Sequence, residues 1–229
     1  MQTIEQDLQI RNEEVNSVIN YFQRMENGGI EYRTEIQGLT TVKTSIKAGI
    51  VLMLYNAIES TMTKCLARIH EVLIDKKLTF NDCNDELKHL IAVYYENAQD
   101  KSADNHRKAS HTLKFYGFIT GNNAFDLSYE DLSKFYPLYS GNLDSKEIVA
   151  VLGKYGIEFI ERASELKTIK DYRNQLAHGE YSFEEIGREL TIQQIQHLAE
   201  ETFEYMRKMI TAIKTFISEE KYMRIEVVE

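Results

Sequence analysis

Residues 167–183 read KTIKDYRNQLAHGEYSF. Ile169, Leu176 and Ala177 return at helical spacing and Gly179 closes the run, so the stretch predicts a helix, from about 161 to 178, that ends in a glycine turn. At about 100° per residue, Leu166, Ile169, Leu176 and Ala177 all fall within about 60° of Arg173. Arg173 therefore stands where the periodicity calls for an apolar side chain. Asn174 and His178 are four apart and share one flank of that stripe. An unpaired guanidinium in an apolar setting costs several kcal/mol as an order of magnitude. Two arrangements relieve it. A carboxylate can lie opposite, and Glu59, in the otherwise apolar YNAIES, is the candidate. Alternatively the stripe faces a partly wet interface that binds an anion. His178 by itself also suits the negative end of a helix.

Outward from this stretch, helical periodicity dominates. Ile192, Ile195, Ala199, Phe203, Met206, Ile210, Ile213 and Ile217 give a long final helix over about 191–218, opened by the capping-box pattern TIQQ. Ile4, Leu8, Val15, Val18, Ile19, Phe22 and Met25 mark a first helix over about 3–26, again behind a box-like TIEQ and stopped by NGG. A second seam, Ile46, Ile50, Leu54, Ile58, Met62, Leu66, Ile69 and Leu73, predicts a long helix over about 43–75. Shorter helices are expected at about 84–98 and about 145–155, the latter behind Asp144 and Glu147 in capping-box spacing. Residues 99–145 are the least regular and are expected to be loop with short elements, including a small strand at TLKFYGFIT. One proline and eleven glycines among 229 residues favour helices over a turn-rich β fold. With no repeat, low-complexity tract or linker, the expectation is one all-α domain over 1–229 with a long irregular insertion around 99–145.

Composition narrows the function. A net charge of −9 opposes indiscriminate binding to nucleic acid or anionic membrane. The polar, acidic start is unlike a signal peptide, and the longest apolar run, AGIVLMLY, is too short to span a bilayer. Cys65 and Cys83 form no CxxC pair; they read as small core residues and point to a reducing, cytoplasmic setting. No nucleotide-binding glycine motif, nucleophile elbow or HExxH is present. His106 and His111 lack further ligands nearby, so neither a metal nor a cofactor is expected.

RNQLAHG resembles the Rx4-6H motif of the HEPN superfamily, with a polar residue after the arginine. The setting is similar too: a motif near a helix end, a short acidic loop, then a long last helix. LMLYNAIESTMTKCLARI resembles the superfamily's first long core helix, and TLKFYGFITGN and LYSGNLDSKEIVAVLGKYGI resemble segments of the MAE-type HEPN proteins, predicted ribonuclease toxins. The resemblance implies an up-and-down helical bundle and a metal-independent endoribonuclease, the toxin of a toxin–antitoxin or phage-defence system. It places Arg173 and His178 on the catalytic arginine and histidine, and Asn174 on the polar position between them. It also implies a homodimer in which two motifs meet, and an antitoxin protein as partner. Glu59 is expected to support Arg173 from behind.

The chemistry suits those residue types. RNA carries its own nucleophile in the 2′-OH, so the protein has to move protons and steady phosphate charge. Imidazole can give or take a proton near neutrality, and a guanidinium can hold phosphate oxygens at two points. Arg107, Lys108 and Lys114, in KSADNHRKASHTLK, are the candidates for contacting RNA backbone. Phe115, Tyr116 and Phe118 could stack bases, although aromatics more often anchor cores. The competing expectation is a catalytically idle HEPN-like helical protein that acts as a scaffold or binding module.

Overall fold

The computed structural model describes residues 1–27, 39–98, 105–121 and 123–224 of the 229. The described residues form α1 (Gln2–Asn27), α2 (Leu39–Asp75), a 3₁₀ turn (Phe80–Asp82), α3 (Asp85–Asn97), α4 (Asn105–Ile119), α5 (Tyr129–Phe135), α6 (Ser145–Gly153), α7 (Ser164–Ala177), α8 (Phe183–Glu189) and α9 (Ile192–Ser218). Among them there is no β-sheet, only an isolated bridge between Cys83 and Met223. The fold is all-α, as the periodicity predicts.

α2 is the axis. Ile50, Val51, Leu54, Ala57, Ile58, Met62, Cys65, Leu66 and Leu73 are fully buried, so this helix is apolar on most sides and must be surrounded. α1 and α9 lie along it, and α9 buries Ile195, Phe203, Met206, Ile210 and Ile213 on one face. α7 packs on both α2 and α9, while α8 lies against α2. α8 comes so near that a Cβ on Gly187 would stand 2.0 Å from the carbonyl oxygen of Thr44. Only a glycine permits this approach. Cys65 and Cys83 are both buried, and burial pushes the Cys65 thiol up to about 12 and that of Cys83 to about 11.

Three expectations need correction. TLKFYGFIT is the body of α4, not a strand. Its aromatics give it β propensity, but helical spacing sets Phe118 against Phe80 and Phe125, and Phe115 against Tyr95. The region 99–145 thus contains α4 and α5 in addition to loops. The acidic loop expected after the motif is α8, and its signal is a capping box: Ser182 accepts from the Glu185 N–H while the Glu185 carboxylate accepts from the Ser182 N–H. The TIEQ pattern lies within the first turn of α1, which begins at Gln2, and so does not precede the helix.

His70 ties the region around α5 to α2. It is 1 % exposed; its Nδ1 donates to the Leu127 carbonyl at 2.7 Å, and its Nε2 accepts from the Tyr155 hydroxyl at 2.9 Å. Burial lowers its pKa from the ordinary 6.5 to about 4. The unfolded chain therefore takes up a proton that the folded chain refuses between these values. The resulting stabilisation is complete above pH 6.5 and disappears as pH falls towards 4, a loss of about 3 kcal/mol over the whole window. Urea unfolding of the parent and of His70→Gln at about pH 7.5 and about pH 4.5 should show a smaller pH loss in the variant by about 2 kcal/mol. Equal losses would remove His70 from the acid response.

Candidate active site

The motif lies on the last two turns of α7, and the local sequence fixes its end. His178 is the C-cap and Gly179 follows with φ +68. The Glu180 N–H reaches the Gln175 carbonyl at 3.0 Å and the Gly179 N–H the Leu176 carbonyl at 3.2 Å. This paired closure needs a left-handed residue, which glycine supplies without a Cβ clash. It leaves His178 exposed at the tip of the helix, where its imidazole has no hydrogen bond among the described residues.

The apolar stripe is buried only in its first two turns. Leu166 and Ile169 are fully buried, Leu176 is half-buried and Ala177 is exposed. Arg173 is thus at the margin of the core and not within it, with 28 % of its side chain exposed. Its guanidinium lies over the Tyr55 ring, 4.5 Å from the centroid, and Nη1 donates to Asn174 Oδ1 at 3.0 Å. Glu59 Oε1 is 4.0 Å from Nη2, near enough to offset the charge but too far for a hydrogen bond. Glu59 thus lies beside the arginine and is as exposed as it is, and Asn174 is the guanidinium's one hydrogen-bond partner among the described residues.

The rest of the site comes from the segment before α6. The Tyr55 hydroxyl donates to the Gly141 carbonyl at 2.6 Å and accepts from the Leu143 N–H at 3.2 Å. Burial pushes the Tyr55 phenol up to about 12, so it stays protonated in that junction. Asn174 Nδ2 donates to Asn142 Oδ1 at 2.7 Å. Lys170, one turn before Arg173, pairs with Asp144 at 2.6 Å, and Asp144 also caps α6 through the N–H groups of Lys146 and Glu147. Gly141 has φ +68, and a Cβ there would meet Arg173 Nη2 at 3.6 Å. Residues 141–144 therefore wall the motif on one side.

The family model described as MAE_28990-like HEPN matches residues 1–222. The chain belongs to the HEPN superfamily. Neither a curated protein nor a solved structure matches it at a significant level.

In this HEPN protein Arg173 lies near both Asn174 and Glu59, with Tyr55 and Asn142 added by the fold. Lys108 and Lys114 do not join them. They sit on α4, which packs at the 3₁₀ turn beyond the C-terminal end of α2, whereas Arg173 packs at Tyr55 and Glu59. From Glu59 to Asp75 the helix rises about 24 Å. The side chain of Arg107 lies outside the described residues. Of the aromatics, Phe118 is core, Phe115 is half-buried and Tyr116 is exposed. No helix among the described residues is long and apolar enough to cross a membrane.

Proposed function

We propose that this protein is a metal-independent endoribonuclease that cleaves RNA by attack of the 2′-OH, with Arg173 steadying the phosphate, His178 moving the proton and Asn174 orienting the arginine. The observation that carries the reading is a charge held ready: a partly exposed guanidinium, braced by Tyr55 and Asn174, on the same helix end as an exposed imidazole. That pairing suits phosphate charge developing beside a proton transfer. Growth arrest on expression, prevented by a neutralising antitoxin protein, is the biological role that fits such an activity.

The active unit in this reading is a homodimer. Along an ideal helix Arg173 and His178 are about 7.5 Å apart on the axis and about 140° apart around it. One subunit does not set them side by side, whereas a two-fold partner can bring its own motif to the same cleft. Ala177, Tyr181 and Phe183 are exposed at the tip and offer the apolar rim such a contact needs. The test is subunit mixing. Folded Arg173→Ala and His178→Ala proteins, each inactive alone, should recover RNA cleavage when their subunits are exchanged, because a mixed dimer holds one cleft with an intact arginine from one subunit and an intact histidine from the other. No recovery on exchange would assign a complete site to each subunit.

A further inference from the structure

We infer that Asn142 is a positioning residue for the arginine: it holds the Asn174 amide so that Arg173 faces the open side of the site instead of collapsing onto Glu59. The inference rests on the ribonuclease reading above and adds a residue from outside the motif. Asn174 has two polar ends, and each is used once. Its Oδ1 takes the Arg173 Nη1 at 3.0 Å and its Nδ2 gives to Asn142 Oδ1 at 2.7 Å. The second bond decides the first, because an amide whose NH₂ is satisfied on one side must present its oxygen on the other.

The competitor is close. Glu59 Oε1 lies 4.0 Å from Arg173 Nη2, and a forked ion pair between them needs only a small swing of the guanidinium. Once formed, that pair would occupy the donors and cancel the charge that a phosphate requires. Asn142 is well placed to prevent it, because its backbone is pinned on both sides. Gly141 and Leu143 both bond the Tyr55 hydroxyl, and Asp144 is fixed by Lys170. The positive φ of Gly141 lets this segment pass within reach of both Arg173 and Glu59. The part of the chain that looked least regular in sequence thus sets the direction of the catalytic arginine.

The experiment is a double-variant cycle of Asn142→Ala with Glu59→Gln, in the full chain. Two quantities are read: affinity for a mixed-sequence 2′-O-methyl oligonucleotide, which lacks the nucleophile, and cleavage of the matching RNA. Asn142 is exposed, so its truncation leaves the core intact. Asn142→Ala should lower both quantities about tenfold, the size expected for one lost orienting bond. Glu59→Gln should suppress that loss, so that Asn142→Ala/Glu59→Gln falls within about twofold of Glu59→Gln alone. A loss from general loosening would not be rescued by removing a charge elsewhere. If the parent cleaves RNA but Asn142→Ala behaves like it, or if Glu59→Gln does not suppress the loss, the positioning role is wrong and the ribonuclease reading stands. If the parent binds without cleaving and the cycle holds, the nuclease reading fails and the positioning role stands. If the parent neither binds nor cleaves, both are overturned.

Discussion

His178→Ala should lose about 10²–10⁴-fold in RNA cleavage while keeping the parent's circular dichroism and melting temperature, the range that a proton-transfer group contributes. The separation of the two effects follows from position. His178 is exposed at the C-cap, its helix is closed by backbone bonds to Gly179 and Glu180, and truncation of the ring removes no packing from the core. Arg173→Ala should cost about 10²–10³-fold by losing the phosphate contact. It should also destabilise slightly, since the guanidinium covers the Tyr55 ring. Cleavage rates and melts of both variants beside the parent check this. A folded His178→Ala protein at full activity would remove the histidine from the mechanism.

Gly187→Ala should be the most damaging small substitution for the fold, at about 3 kcal/mol. The added methyl would lie 2.0 Å from the Thr44 oxygen, 2.5 Å from its carbonyl carbon and 2.7 Å from its Cα. These are backbone atoms of α2, so no side chain can turn aside, and α8 must lift away. α8 joins the motif helix to α9, so the lift should also disturb the tip that carries His178. The ordinary helix preference for alanine over glycine, about 1 kcal/mol, points the other way and is too small to compensate. Urea unfolding of Gly187→Ala against the parent decides it. Equal or greater stability in the variant would mean that the α2–α8 approach is not as close as described.

Long, strongly periodic elements were legible in the sequence because each buries one continuous face. The seams of α2 and α9 are clear in their isoleucines, and the end of α7 is clear in HGE, where glycine follows the last turn. Arg173 stands out as a charge out of period, and Glu59 as an acid in an otherwise apolar helix. The helical wheel does not give the arginine's degree of burial, because it treats the whole stripe alike, whereas α7 leaves the core over its last turn. α4 is hidden by aromatics that also carry β propensity, and α8 by an acidic run that masks the Ser182–Glu185 capping box. Tyr55 and Asn142 could not be found by local reasoning at all. Their bonds to Gly141 and Asn174 join positions 86 and 32 residues apart, and nothing in the short-range pattern marks either side chain.

The most direct test of the central claim is the chemistry of the cut ends. Purified protein should be incubated with end-labelled RNA in EDTA, with His178→Ala protein prepared in parallel, and the new termini identified. Attack by the 2′-OH with Arg173 and His178 predicts cleavage that survives EDTA, leaves a 2′,3′-cyclic phosphate or 3′-phosphate on one fragment and a 5′-hydroxyl on the other, and is absent from the variant. Cleavage that stops in EDTA, returns with Mg²⁺ and leaves a 3′-hydroxyl, or products equally abundant in the His178→Ala reaction, would contradict the account.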